Sequence, residues 1–184
     1  MKKHVYLTGF MGAGKSRIGR TLAGHWSWPY FDTDKIIETE AQKSVFDIFE
    51  NDGENVFRLH EAKVISKVSE GLYPSIISLG GGALKVDENF STITKTGILV
   101  YIKSAPEYIF ERVKHNRKRP LLQVDEEDFE AALMHKIKKL LAEREHLYLK
   151  SDIIYKRDGM EPEEILPELT KRIEQIWDKT NEND

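Results

Sequence analysis

The chain has 184 residues, the size of one ordinary domain, which leaves no room for two independent hydrophobic cores. Its 28 basic and 31 acidic residues give a net charge of −3, which excludes a disordered polyelectrolyte and provides no overall field that attracts nucleic acid or anionic lipid. With no cysteine, the chain can form neither disulfides nor thiolate zinc sites. No apolar run approaches the roughly 18 residues of a membrane span, and the start does not read as a secretory signal, so we expect a soluble cytoplasmic protein.

Predicted strands alternate with predicted helices along the chain. In order, we predict a strand at 4–8, a helix at 16–25, a short strand at 30–31, a helix from a capping box at 44–47 to about 53, a helix at 54–70, strands at 75–79 and 98–102, helices at 106–115 and 126–150, a strand near 152–155 and a helix at 162–179. This alternation predicts an α/β fold with a mainly parallel sheet. Ligands of such sheets bind at the carboxyl ends of the strands, so the residues just after each strand are the candidates for a site.

A glycine-rich segment follows the first predicted strand. Residues 9–16 read GFMGAGKS, a complete GxxxxGK[ST] phosphate loop. Its glycines allow backbone N–H groups to curl around phosphate oxygens, and the helix that follows adds its N-terminal dipole. Lys15 can then neutralise the β- and γ-phosphates, and the Ser16 hydroxyl can bind Mg²⁺. Because a strand precedes the motif and a helix follows it, we favour nucleotide binding over a chance match.

Two carboxylates follow the second predicted strand. If the segment stays extended, residues i and i+2 point the same way, so Asp32 and Asp34 would face one site. One could help to hold Mg²⁺, and the other could accept a proton from an attacking hydroxyl group. The alternative is that an aspartate caps a helix over 35–39. Beside a phosphate loop, we favour the functional interpretation.

Arg58 lies four residues after Glu54 and three before Glu61. This is the spacing of ordinary surface ion pairs on a helix, worth about 0.2–0.5 kcal/mol each. The alternative is a fork for a substrate carboxylate, oriented by one of the two acids. Spacing alone favours the surface pairs, and it likewise places Arg144 on a solvated face of a charged helix.

Three consecutive glycines, Gly80, Gly81 and Gly82, follow the strand predicted at 75–79. Such a run is costly in backbone entropy and adds no packing. A tight turn explains one or two of the glycines, whereas close approach of the backbone to a ligand explains all three. We therefore favour a ligand contact here.

A basic run at 114–120, KHNRKRP, has the charge of a nucleic-acid patch. It contains no aromatic residue on which bases could stack, and the sequence turns acidic at 123–128. We therefore favour a mobile lid that brings cations onto ATP, and we expect no nucleic-acid partner.

Taken in order, these motifs resemble the shikimate kinase family, small P-loop kinases of the nucleoside-monophosphate-kinase fold. The matching motifs are GFMGAGKS at 9–16, FDTD at 31–34, GExxFRxxE at 53–61, GGG at 80–82, RPLL at 119–122 and RxxLY at 144–148. A phosphate loop by itself indicates a superfamily, whereas this ordered set is close to diagnostic. The resemblance implies a three-layer α/β/α P-loop fold with a five-stranded parallel sheet. It also implies a single kinase domain over 1–178, with a mobile lid at about 113–124 and a frayed tail at 179–184.

The resemblance also implies a role for each matching residue. Lys15 would hold the transferring phosphate, Ser16 would bind Mg²⁺ directly, and Asp32 would reach the metal through water. Arg119 would close on the phosphates from the lid. The remaining nucleotide contacts would come from residues beside these in the loop and its helix, namely Gly12, Ala13, Gly14 and Arg17. Arg112 and Arg157 are candidates for the adenine side.

On the acceptor side, the family's pattern implies that Asp34 contacts the shikimate hydroxyls and acts as the base for the 3-hydroxyl. Arg58 and Arg144 resemble the arginines that clamp the shikimate carboxylate, which reverses the interpretation from local spacing. The glycine triplet at 80–82 would supply backbone contacts, with Gly81 central. Leu79, His146 and Ser151 differ from the family's commoner residues, and none of them removes a charged contact.

The activity implied is transfer of the γ-phosphoryl group of MgATP to the 3-hydroxyl of shikimate, giving shikimate 3-phosphate and ADP in aromatic amino-acid biosynthesis. We expect ATP and Mg²⁺ as cofactors, shikimate as the small-molecule partner, no membrane partner and a monomer, since no heptad seam is evident. The alternatives are another small hydroxy-acid kinase, such as a gluconate kinase, and a non-catalytic nucleotide-binding module that regulates a partner.

Overall fold

The computed structural model describes residues 2–115 and 128–181, in which five strands form one parallel sheet. The strands are β1 (His4–Thr8), β2 (Tyr30–Asp32), β3 (Ile76–Ser78), β4 (Gly97–Lys103) and β5 (Ile153–Lys156). They pair in the order β2-β3-β1-β4-β5, with Val5 opposite Ile76 on one side and Ile98 on the other. The predicted five-stranded parallel sheet is confirmed.

Helices connect the strands in every crossover. They are α1 (Lys15–Trp26), α2 (Thr33–Ala41), α3 (Val45–Asp47), α4 (Glu54–Ser69), α5 (Asp87–Thr96), α6 (Pro106–Val113), α7 (Phe129–Tyr148) and α8 (Pro162–Asn181). The predicted capping box is present at the start of α3, where Ser44 Oγ accepts from Asp47 N and the Asp47 carboxylate accepts from Ser44 N. A π-helical segment, Ile48–Asp52, then carries the chain to Gly53.

The hydrophobic core lies in two parts, one on each face of the sheet. Alternate residues of β1 point to opposite faces, so Tyr6 packs with apolar residues of α2, α4, α5, α6 and α7, while Val5 and Leu7 pack with those of α1 and α8. Both faces of the sheet are therefore covered, which explains why the strands β1, β3 and β4 are buried along almost their whole length. The fold has three layers, as predicted.

Three sequence expectations differ from the structure. The chain is not extended through Asp34, because α2 begins at Thr33 and Asp32 is its N-cap. Helix α5 was not predicted: it is mostly polar, and only Asn89 and Ile93 are buried in it. Helix α8 continues to Asn181, into the segment predicted as a tail.

The order of the strands places the candidate site. The chain leaves β1 toward β2 on one side of the sheet and later enters β4 on the other side, so the end of β1 lies at the topological switch point. The glycine-rich loop and the glycine triplet follow the neighbouring strands β1 and β3 at this same edge. Within the described part of the chain, no helix is both long and apolar enough to span a bilayer.

Candidate active site

The phosphate loop connects β1 to α1 and has the backbone geometry that its glycines permit. Lys15 is the first residue of α1, and its Nζ donates to the carbonyls of Gly9 (2.9 Å) and Phe10 (3.2 Å). These bonds hold the ammonium group against the loop backbone. The loop therefore presents a cation and a helix N-terminus together, which is an arrangement suited to phosphate.

Gly14 caps α1 with a φ of 91°, a conformation that side chains rarely adopt. A β-carbon there would also collide with the guanidinium group of Arg157. Arg157 is buried and donates from Nη1 to the carbonyl of Ala13 (3.2 Å), and Arg112 Nη1 donates to the carbonyl of Gly12 (3.3 Å). Burial lowers the pKa of Arg157, and the neighbouring charge of Arg112 lowers it further. Both sequence candidates for the adenine side thus lie against the phosphate loop.

Ser16 and Asp32 meet at the ends of adjoining elements. Ser16 Oγ donates to Asp32 Oδ2 (2.8 Å), and the Tyr30 hydroxyl donates to the same oxygen (3.2 Å). Asp32 Oδ1 also accepts from Lys35 N (3.4 Å) as the cap of α2. Capping and facing the loop were alternatives in the sequence, and Asp32 does both. A hydroxyl and a carboxylate oxygen are donors suited to a hard divalent cation.

Asp34 lies on the first turn of α2, so its direction is set by the helix and not by an extended chain. A β-carbon at Gly80 would lie 2.8 Å from Asp34 Oδ1 and 2.6 Å from Glu61 Oε1. A β-carbon at Gly80 would displace one or both carboxylates, which gives a reason for one of the three consecutive glycines. Thr33 fixes the same turn, because its Oγ1 accepts from Gly80 N (3.0 Å). Asp34 therefore faces the glycine triplet, while Asp32 faces the phosphate loop.

Arg58 forms both of the ion pairs that its spacing allowed. Its Nη1 donates to Glu61 Oε2 (2.5 Å), and its Nη2 donates to Glu54 Oε1 (3.0 Å). These are not ordinary surface pairs, since the Arg58 side chain is only 14% exposed and that of Glu61 is 0% exposed. The guanidinium group also lies against Gly82, in contact with the triplet.

Glu61 is the most perturbed carboxyl group of the site. Burial raises its pKa to about 7, against the opposing effect of Arg58 and with smaller contributions from the charges of Asp34 and Glu54. Among the described residues, Oε1 of Glu61 has no hydrogen-bond donor. A buried carboxyl group between a guanidinium and a second carboxylate marks this as a functional-site candidate on physical grounds.

Arg144 lies on α7, one helical turn before a tyrosine that contacts the triplet. It is buried, and its guanidinium carbon lies 5.9 Å from the centre of the Phe10 ring. Burial raises the pKa of Tyr148 to about 12, and the charge of Arg144 acts in the opposite direction. The solvated face expected from spacing alone was wrong. Tyr148 in turn donates to the Gly81 carbonyl. Sequence reasoning assigned no role to Tyr148, although its position four residues after Arg144 places the two side chains on one face of the helix.

The remaining predicted residues lie at the margins of this arrangement or outside it. Arg17 extends from α1 and pairs with Glu161 (2.5 Å) at the surface. Arg119 and most of the predicted lid fall within 116–127, outside the described residues. Val113, at the end of α6, is buried beside Gly12.

A parallel α/β fold with a phosphate loop at its switch point, beside a cluster of carboxylates and arginines, defines a P-loop kinase that acts on a small molecule. Comparison with known proteins identifies the family. Residues 11–174 match the family model described as shikimate kinase. The chain is 37% identical over 187 residues to shikimate kinase of Chlorobaculum tepidum, covering 100% of this chain and 97% of that relative. It belongs to the shikimate kinase family.

Solved structures agree with this assignment. Shikimate kinase from Acinetobacter baumannii in complex with shikimate superposes with a TM-score of 0.86 at 29% identity, covering 95% of this chain and 94% of that one. A gluconokinase from Sinorhizobium meliloti superposes with a TM-score of 0.60 at 14% identity, covering 100% and 99%. The second likeness shows the shared fold alone.

Proposed function

We propose that this protein transfers the γ-phosphoryl group of MgATP to the 3-hydroxyl group of shikimate, giving shikimate 3-phosphate and ADP. The observation that carries the proposal is that Asp34 and Arg58 lie against one glycine triplet beside the phosphate loop, while buried Arg144 lies one helical turn before Tyr148, which donates to Gly81 of that triplet. A carboxylate and two guanidinium groups match an acceptor that has both hydroxyl groups and a carboxylate. Family membership selects shikimate among such acceptors.

The phosphate loop binds the nucleotide in this proposal. Backbone N–H groups of Gly12–Ser16 surround the phosphates, and Lys15 exchanges its bonds to the loop carbonyls for the β- and γ-phosphate oxygens. Arg17, on the same helix, would leave its surface pair with Glu161 to contact the nucleotide. Arg119 adds a further cation from the lid as the transferring group moves. The protein thus stabilises the charge that develops on the phosphoryl group.

A magnesium ion fits the residues at the start of α1 and the end of β2. The Ser16 hydroxyl and the Asp32 carboxylate are both oxygen donors, and their oxygens lie 2.8 Å apart. Ser16 would hold the ion directly and Asp32 through water. When bound, the ion would supply positive charge that offsets the negative charge of the nucleotide.

The acceptor side positions and deprotonates the hydroxyl group. Arg58 and Arg144 bind the carboxylate of shikimate, and Gly81 contributes backbone contacts. Asp34 accepts the proton of the 3-hydroxyl as its oxygen forms a bond to the γ-phosphorus. The bond between that phosphorus and the β,γ-bridging oxygen breaks, and ADP leaves with the bridging oxygen. Closure of the lid would exclude water and suppress hydrolysis of ATP.

The direct test measures ADP release from MgATP with and without shikimate, together with mass detection of the product. We expect shikimate-dependent ADP matched by an equal amount of shikimate 3-phosphate. Phosphorylation of gluconate or another hydroxy acid in place of shikimate would refute the proposed acceptor. Binding of ATP without transfer to any acceptor of the panel would favour a regulatory module.

Replacing Arg58 tests the acceptor site separately from the nucleotide site. Arg58→Ala should raise the KM for shikimate at least tenfold and leave the KM for ATP nearly unchanged, because a charged hydrogen bond to a carboxylate contributes about 1.5–3 kcal/mol. Arg172→Ala is the matched control, since Arg172 also pairs with a glutamate on its own helix but lies on α8. Equal weakening of both substrates by Arg58→Ala would contradict the role of Arg58 in the clamp.

A further inference from the structure

Tyr148 contacts the acceptor side of the site without being part of the proposed clamp. Its side chain is buried at 1% exposure, at the end of α7. The hydroxyl donates to the carbonyl of Gly81, and Arg144 lies one helical turn before Tyr148 on the same face of α7. One phenol group therefore contacts the central glycine of the triplet beside one of the two guanidinium groups proposed to hold the carboxylate of shikimate.

The ring of Tyr148 connects these residues to the phosphate loop. It packs on Tyr101 of β4, with ring centres 5.0 Å apart and planes inclined at 38°. The Tyr101 ring lies against the start of the loop, since a β-carbon at Gly9 would be 3.4 Å from two of its ring atoms. The loop and the triplet are themselves close neighbours, because a β-carbon at Gly81 would lie 3.5 Å from the carbonyl oxygen of Gly9.

The bond to the Gly81 carbonyl fixes the direction of the Tyr148 hydroxyl proton. Its proton has to remain on the oxygen to reach the Gly81 carbonyl. Burial raises the pKa of Tyr148 to about 12, while the charge of Arg144 acts in the opposite direction, so the hydroxyl keeps its proton at neutral pH. Loss of the hydroxyl would leave the Gly81 carbonyl short of this hydrogen-bond donor.

We propose that Tyr148 is a positioning residue that sets Gly81 and Arg144 at the separation that the acceptor requires. The proposal rests on the proposed function, since shikimate is the acceptor in question. Tyr148 does not touch the acceptor; it acts through the two residues that do. Loss of its hydroxyl should therefore weaken binding of the acceptor. Binding of the nucleotide and the rate of phosphoryl transfer should change little.

Tyr148→Phe removes the hydroxyl and keeps the ring on Tyr101. We expect the KM for shikimate to rise about tenfold, in line with one buried hydrogen bond, while kcat and the KM for ATP change less than about threefold. Tyr155→Phe is the matched control: Tyr155 is also buried and its hydroxyl also has a partner, Glu168, but that pair joins β5 to α8. The control should leave all three constants unchanged.

A double-mutant cycle with Arg144→Lys separates positioning from general loosening of the fold. If Tyr148 acts through Arg144, the fold-rise in the KM for shikimate of the double variant will be smaller than the product of the two single fold-rises. A double variant whose fold-rise equals that product would overturn the proposal. An equal rise in the KM for ATP would overturn it as well. A variant that melts earlier but keeps the wild-type KM for shikimate would also overturn it, because the role would then be structural.

Two further controls keep the outcomes distinct. Tyr148→His retains a flat ring with an N–H donor but shortens its reach, so it should also raise the KM for shikimate, and it serves if Tyr148→Phe does not fold. The wild-type protein is assayed in parallel. A wild type that phosphorylates no shikimate overturns the proposed function and this proposal with it, whereas an active wild type with unaffected Tyr148 variants overturns this proposal alone.

Discussion

Glu61→Gln should stabilise the protein at alkaline pH and leave its stability at acidic pH unchanged. The pKa of the Glu61 carboxyl group rises from 4.5 to about 7 on folding, chiefly because the group is buried. A raised pKa means that the folded state binds the proton more tightly than the unfolded state, so stability is lost as pH rises between these two values. At about 1.4 kcal/mol per pKa unit, the loss amounts to about 3 kcal/mol. Glutamine resembles the protonated carboxyl group and does not incur this loss.

The assay is urea unfolding of the wild type and the variant at pH 4 and pH 8. We expect the two proteins to have similar free energies of unfolding near pH 4, below both pKa values, and the variant to be more stable by about 3 kcal/mol at pH 8. Glu54→Gln is the control, because Glu54 pairs with the same Arg58 but its side chain is 49% exposed and its pKa is lowered. A difference between the wild type and Glu61→Gln that is the same at both pH values would show that folding does not raise the pKa of Glu61.

Three other substitutions test separate parts of the molecule. Lys15→Ala should lower kcat by at least a hundredfold with a smaller change in the KM for shikimate, because its charge is needed most in the transition state, and steady-state kinetics with both substrates checks this. Gly14→Ala should weaken ATP binding in calorimetry and spare shikimate binding, since a β-carbon there collides with Arg157. Burial lowers the pKa of His4, so its folded form binds protons less readily and stability falls as pH drops below about 6.5. In urea unfolding between pH 7 and pH 5, made in the Glu61→Gln background to remove the opposite effect, His4→Gln should abolish this loss.

The parts of the site that depend on local sequence were predictable. The phosphate loop is a continuous segment whose glycines, lysine and serine have fixed spacing, and its strand and helix flank it as expected. The buried strands were predictable for the same reason, because each is a short continuous run of mostly apolar residues. Even Asp32 was open to both correct interpretations, as a helix cap and as a residue that faces the loop.

The parts that depend on tertiary contacts were not predictable from residue spacing. Spacing indicates that Arg58 can pair with Glu54 and Glu61, but not that the fold buries Glu61 against Gly80. Arg144 lies in a charged stretch of helix, and only packing against Phe10 and Tyr148 turns it inward. The resemblance to the family predicted the roles of both arginines, because a family's motifs reflect residues that meet only in the folded protein. The resemblance does not explain which contacts hold those side chains in place.

The structure offers that explanation in terms of burial. The buried carboxyl group of Glu61, with a pKa near 7, is an unfavourable neighbour for Asp34. The protein would be more stable with a well-packed apolar residue at position 61. Such a residue would leave Arg58 with Glu54 alone, on the exposed side, and its guanidinium group would be free to turn toward solvent. The acidic partner thus costs stability and keeps the arginine directed at the glycine triplet. Glu61→Gln should therefore raise the KM for shikimate under the same alkaline conditions in which it stabilises the fold. A variant that gained stability and kept its affinity for shikimate would show that Glu54 alone orients Arg58.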